Sequence, residues 1–305
     1  MVHTIFFQIC TMFVFAACGY IMFKCGKISS AGSKTIGNIL IFLSLPCVII
    51  RSFIREKAEG ELSGLLISAI LALLILTIST FVSSMIFRKR PVEIFAGAYS
   101  NPGFFGIPLI ISCMSSDVVF YISPFIAFLN VFQWTYGVSV LKGEDRIEKI
   151  PLKKVVTAPF FIAICIGMVL YLSSLEMPHF IVKSIASIAE MNTPLAMISV
   201  GIYMAQTDFI KMFRKKYLYF VALVRLAVIP LIVLVLMTFM PDNVVFAQMK
   251  LALLIAAACP VGSNIAVYAD LYDSDRQYAA ETVVMSTLLS IVTIPAIVFL
   301  FGIIE

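Results

Sequence analysis

Two short runs in this chain combine residues that break helices with side chains that hold hydrogen bonds. The first is Ser100-Asn101-Pro102-Gly103-Phe104-Phe105-Gly106-Ile107-Pro108, and the second is Cys259-Pro260-Val261-Gly262-Ser263-Asn264. Proline removes a backbone donor and clashes with the preceding turn, and glycine loosens the backbone, so such a cluster inside a helix frees several peptide groups. In hydrocarbon each freed group is costly unless something binds it. Two half-helix ends facing each other would offer amide N–H groups and positive dipole ends to an anion, and carbonyls to a cation. Asn101, Ser263 and Asn264 add neutral donors and acceptors at the same depth. The candidate binding set is therefore Asn101, Pro102, Gly103, Pro260, Gly262, Ser263 and Asn264. Asn130 and Gln133 join it because their spacing puts them on one helix face. For Asn38, Asn192 and Gln206, hydrogen bonding between helices is a sufficient role.

Ionisable groups within apolar stretches are few. Glu190 precedes Met191-Asn192-Thr193-Pro194 and is the candidate carrier of a coupling proton, unless it lies at the outer interface with Lys183. Arg225 is expected to snorkel to the surface as an anchor. Asp270, Asp273, Asp275 and Glu281 read as a solvated acidic connection that also caps the last helix. Seven cysteines without a CxxC pair, and only His3 and His179 beside them, exclude a disulfide framework or a zinc site and read as small buried hydrophobes. No paired-aspartate, serine or HExxH site is present, Tyr272-Asp273 being the nearest fragment of one. The expectation is a chain that is no enzyme, holds no metal or cofactor, and uses a proton or sodium as its coupling ion if it uses one.

The elements that must position these residues follow from composition. Of 305 residues, 61% are hydrophobic and 13% charged, and the mean hydropathy is +1.05. Soluble domains carry roughly 25% charged residues, so lipid must be the solvent for most of this surface. Lipid leaves only helices or a closed barrel. Charge-free runs such as Leu62 to Phe87, Val118 to Leu141 and Thr282 to Ile304 are close to or above the ~20 residues that cross hydrocarbon, which selects helices. The expected fold is all-α with ten spans: Thr4 to Phe23, Thr35 to Ser52, Leu62 to Phe87, Val92 to Met114, Val118 to Leu141, Val155 to Ser174, Ser184 to Thr207, Tyr217 to Met240, Ala247 to Leu271 and Ala279 to Ile304. Met1 to Phe23 has no basic residue before Lys24, so it reads as the first span and not as a cleaved signal.

Sixteen of the Lys and Arg residues fall in odd-numbered connections and five in even-numbered ones. By the positive-inside rule both termini are expected on the non-cytoplasmic side of an inner or plasma membrane, and the charge of +5 calls for no nucleic-acid partner. The charged run Lys142 to Lys154 divides the chain into residues 1–141 and 155–305, with five spans each. An odd number per half inverts the second half relative to the first. The two broken runs then fall in the fourth span of each half, with Leu45-Pro46 and Thr193-Pro194 in the second, a pattern shared with secondary transporters.

The run from Ser100 to Leu109 resembles the asparagine-containing, glycine-proline-leucine signature of the auxin efflux carrier family of membrane transport proteins. Pro260 to Asn264, Ala269-Asp270-Leu271-Tyr272, Glu281 to Ser290 and Pro295 are similar to that family's C-terminal block, and the likeness includes Pro46, Pro194 to Gly201 and Arg225 to Pro230. The resemblance implies ten helices in two inverted repeats, with broken spans 4 and 9 crossing near the midplane. It implies a scaffold of spans 1, 2, 6 and 7, through which a homodimer would form, and a transport domain of spans 3–5 and 8–10. It further implies a small organic anion as substrate, such as malate, malonate or an auxin-like acid. This chain has Ser100 where the plant carriers place a proline, which leaves the point of the break open, and it lacks their long cytoplasmic loop. A secondary transporter of an organic anion is thus the leading expectation, with a non-transporting receptor or a channel on the same helices as the alternatives.

Overall fold

The computed structural model describes residues 2–55, 60–143, 152–173, 175, 177–240, 244–272 and 274–304. Most of the charged run Lys142 to Lys154, together with Lys57 and Asp273, lies outside these residues. Among them the chain is nearly all helical and contains no strand. Seven helices are long and apolar enough to cross a membrane: α1 (Val2–Lys24), α2 (Ser30–Phe53), α3 (Glu61–Ile86), α6 (Ser116–Lys142), α8 (His179–Ala205), α9 (Lys216–Thr238) and α12 (Arg276–Ile304). Five shorter ones bear on the site: α4 (Pro91–Ala98), α5 (Pro102–Cys113), α7 (Pro159–Ser173), α10 (Val244–Ala258) and α11 (Asn264–Leu271), and the single turns Leu152–Val156 and Phe209–Phe213 lie in the connections before α7 and α9. The fourth and ninth expected spans are thus each divided, into α4 with α5 and α10 with α11. The second begins at Ser30 instead of Thr35 because Ser29 caps it, its hydroxyl accepting from Gly32 N at 3.1 Å. The seventh begins at His179, five residues before Ser184, so Lys183 lies inside it.

Proline shapes three of these helices without ending them. Leu40–Ser44, Pro102–Gly106 and Val224–Val228 are wide π-helical turns, and each is followed two positions later by a proline, Pro46, Pro108 or Pro230. A proline ring clashes with the carbonyl four residues before it. That carbonyl, on Phe42, Phe104 or Leu226, lies inside the wide turn, where the extra residue moves it aside. A fourth such turn, Gln133–Gly137, has no proline after it.

Packing sorts the helices by burial. Val92 to Ala98 in α4 and Met249 to Ala258 in α10 are buried on every side and, apart from Glu93 and Lys250, apolar all round, as befits helices at the centre of a bundle. The outer helices expose large apolar side chains, Phe42, Leu66, Ile70, Val169 and Val292 among them, to what composition identifies as lipid. α1 runs against the second half of α8, where Gly19 and Gly201 let the backbones touch, and α7 and the first half of α8 pack on α2. The cysteine expectation is corrected in part. Cys259 is buried, but Cys10, Cys18, Cys25 and Cys165 lie on exposed faces, where a small apolar thiol meets lipid as readily as protein.

Candidate functional site

α4 ends at Ala98 and α10 at Ala258, and between these ends and the helices that follow, the two chains pass each other extended and antiparallel. Tyr99 (φ −114°, ψ 116°) and Asn101 (φ −113°, ψ 63°) carry the first extended stretch, so the break lies before Pro102, which opens α5. Ser100 bridges to Val261. Asn101 N donates to Pro260 O at 2.9 Å and Gly262 N donates to Tyr99 O at 3.0 Å. Val261 N donates to Ser286 Oγ at 3.0 Å. Part of the freed backbone is thereby satisfied within the crossing itself, as a buried break requires. Gly262 is at this point for its size, since a Cβ there would lie 3.0 Å from Ser100 O.

A cavity of about 480 Å³ opens beside the crossing. Asn101, Pro102, Gly103, Gly262, Ser263, Asn264, Asn130 and Gln133 all line it. Of the sequence candidates, Pro260 contributes its carbonyl to the crossing without lining the cavity, and Glu190 is apart. The Glu190 side chain is 73% exposed and lies 3.6 Å from Arg51. Asn264 Nδ2 donates to Gln133 Oε1 at 3.4 Å, and Asn130 Nδ2 donates to Ile126 O at 2.8 Å. The rest of the wall is largely apolar, with Leu45, Phe104, Leu129, Phe160 and Val267, a composition usual for small-molecule sites. Lys154 is the charged side chain among the described lining residues, and no carboxylate joins it. A second cavity of about 720 Å³ shares Ser263, Asn264 and Val267 with the first and reaches Lys34, Asp208, Asp270 and Arg276.

Sequence reasoning did not single out Trp134 and Tyr268, which face the first cavity and are joined by a 2.6 Å hydrogen bond from Trp134 Nε1 to Tyr268 Oη. The single Trp of the chain was the available signal. Asn192 has the interhelical hydrogen bond expected of it: its Nδ2 donates to Gly103 O at 3.2 Å and so ties α8 to the start of α5. Two expectations are corrected. Arg225 does not reach the surface: it is 1% exposed and its guanidinium donates to backbone carbonyls at the crossing. Glu281 is not part of a solvated connection: it is 1% exposed and pairs with Lys215 at 2.5 Å. The capping role falls to Asp275, whose Oδ1 accepts from Tyr278 N at 2.9 Å.

A bundle of this apolarity, with a solute-sized chamber beside two broken helices, defines an integral multi-pass α-helical membrane protein. Residues 145–298 match the profile of the family described as membrane transport protein, and the chain belongs to that family. It is also similar to a protein of Rhizobium meliloti (strain 1021) named "Putative malonate transporter", with 20% identity over 279 residues, 87% of this chain and 86% of the relative.

Proposed function

We propose that this protein is a secondary transporter that moves a small organic anion, a carboxylate of the malate or malonate kind or an auxin-like acid, by alternating access. The observation that carries this reading is the first cavity. The opening turns of α5 and α11 contribute Pro102, Gly103, Ser263 and Asn264 to its wall, three further side-chain amides, Asn101, Asn130 and Gln133, join them, and among the described lining residues the one charge is that of Lys154. Helix N-termini and a cation both favour a negative charge. The apolar remainder suits a short carbon chain. The name of the Rhizobium meliloti relative is consistent with a dicarboxylate.

In this reading the ten spans form two inverted repeats, 1–141 and 155–305, and the antiparallel sense of the two extended stretches fits that inversion. α1, α2, α7 and α8 are the scaffold, and the other helices carry the crossing. Lys34, Lys154, Asp208 and Arg276, which line the two cavities, come from the odd-numbered connections, the set that carries sixteen of the Lys and Arg residues, and this supports a site that faces the cytoplasm. The opposite side is held shut by a buried polar cluster. Glu61, 3% exposed, pairs through Oε1 with Arg55 and accepts through Oε2 from Tyr171 Oη at 3.1 Å. Arg55 Nη1 also donates to Asp117 O at 3.2 Å. The cluster joins the end of α2 and scaffold helix α7 to the first turns of α3 and α6.

Breaking a buried ion pair by removing one charge costs about 3–5 kcal/mol. Glu61→Gln is therefore expected to loosen the outer side. In a cysteine-free background with Leu129→Cys in the cavity wall, an impermeant maleimide added from outside should label the Gln variant at least about tenfold faster than its Glu61 parent. Equal labelling would remove this cluster as a gate.

The transport reading is tested by uptake of labelled malonate, malate and indole-3-acetate into proteoliposomes, with and without imposed proton and sodium gradients. Hydrogen bonds to a charged group contribute about 1.5–3 kcal/mol, so Asn101→Ala or Asn264→Ala should lower flux by roughly tenfold or more while the unfolding temperature holds. Unchanged flux in both variants would remove the site.

A further inference from the structure

Arg225 lies in the wide turn Val224–Val228 of α9. Its Nη1 donates to Gly97 O at 3.1 Å and to Ala98 O at 2.8 Å, and its Nη2 donates to Ala257 O. No carboxylate pairs with it among the described residues, and its Nε is unpartnered there. The three acceptors share one origin. In an unbroken helix each would receive the N–H four residues on. For Gly97 that donor is Asn101 N, which is turned to Pro260 O. For Ala98 it is Pro102, which has no N–H. For Ala257 it is Val261 N, which is turned to Ser286 Oγ. The guanidinium thus supplies the donors that both breaks take away, one arm to each half-helix.

The charges agree with the hydrogen bonds. A helix C-terminus carries roughly half a negative charge, so two of them converging in a buried place amount to about one. A guanidinium carries one positive charge and keeps it at every working pH. In transporters with broken helices, carbonyl ends of this kind are where a coupling sodium ion is held. Here that position is filled by a side chain.

We propose that Arg225 is a tethered counter-cation for the carbonyl ends of α4 and α10, which occupies the place a sodium ion would take and makes the crossing independent of sodium. The proposal rests on the reading of the crossing as a transport site. It divides the labour there, with the carbonyl ends closed by Arg225 and the amide ends of α5 and α11 left to the anion.

Thermal unfolding of the purified protein in sodium chloride and in choline chloride of equal ionic strength tests this without reference to transport. The wild type is expected to have the same midpoint in both salts. Arg225→Lys keeps one charge and three donors, so it should stay near the wild type and equally indifferent to sodium. Arg225→Met empties the carbonyl cage: its midpoint should fall by several degrees, and sodium should restore part of the loss saturably. Should the Met variant fail to fold, the wild type and the Lys variant decide. Saturable stabilisation of the wild type by sodium, or a Lys variant as impaired as the Met one, would overturn the proposal. Malonate uptake driven by a sodium gradient would also overturn it while leaving transport standing. Sodium-indifferent stability without uptake of any carboxylate would sustain it and defeat the transport reading.

Discussion

Gly262→Val is expected to lower flux by at least about tenfold in a protein that still inserts and folds. The crossing is held by two backbone hydrogen bonds, Asn101 N to Pro260 O and Gly262 N to Tyr99 O, which fix how closely the two extended stretches approach. A Cβ on residue 262 would lie 3.0 Å from Ser100 O, 3.5 Å from Tyr99 O and 3.5 Å from Gln133 Nε2. Alanine asks the neighbours to give by a few tenths of an ångström. Valine adds two methyl groups in the same place, and these must displace either the Ser100 carbonyl or the Gln133 amide, which holds Asn264. Overpacking of this kind costs typically about 1–3 kcal/mol, or roughly ten- to hundredfold in a binding constant. Because the strain falls on groups that line the cavity, uptake should drop by at least about tenfold for Val and by less for Ala. Insertion and the unfolding midpoint, set by the whole bundle, should change little. Full transport by Gly262→Val would show that the close approach does not matter.

The fold was legible in the sequence to the extent that lipid dictates it. Apolar length locates α1, α3, α6 and α12 to within a few residues, because a segment bathed in hydrocarbon is chosen by length and apolarity alone. The breaks were legible for the same reason, since Pro102, Gly103, Pro260 and Gly262 cannot continue a helix unaided. What escaped depends on partners far along the chain. Arg225 resembled a surface anchor because it lies only eight residues past Tyr217. The breaks in α4 and α10 turn three carbonyls toward it, and no pattern around residue 225 records that. Glu281 resembled its exposed neighbours Asp270 and Asp275, yet it is buried, and the half-exposed Lys215, 66 residues away, reaches in to meet it. Leu45-Pro46 and Thr193-Pro194 fall at matching positions in the second span of each half, as the broken runs do in the fourth. The wide turn at Leu40–Ser44 absorbs Pro46 and the helix continues. Proline alone, then, does not open a membrane helix. Here it does so where glycine flanks it and another extended stretch accepts the freed amides.

Gly201→Val, in contrast, is expected to cost the fold itself. α1 and α8 cross with their backbones in contact, and both sides of the contact are glycine. A Cβ on Gly201 would fall 1.8 Å from Ala16 O, and one on Gly19 would fall 2.2 Å from Ile198 O. Neither obstacle is the tip of a flexible side chain, so the helices must move apart along their length. That separation removes packing between Gly201 and Ala16 and loosens α8 beside Asn192, whose amide holds Gly103 at the start of α5. The cost lies at or above the upper end of about 3 kcal/mol seen for overpacked cores, which lowers the unfolding midpoint by at least about 5 °C. The yield of monodisperse protein should fall with it. Gly302→Ala is the control, since nothing lies within 4 Å of a Cβ there and alanine is the better helix former. If Gly201→Val unfolds at the wild-type temperature while Gly302→Ala behaves as stated, the close contact of α1 and α8 does not hold the proposed scaffold together. A midpoint lowered in the first and held in the second assigns that stability to the close approach of Gly201 to Ala16.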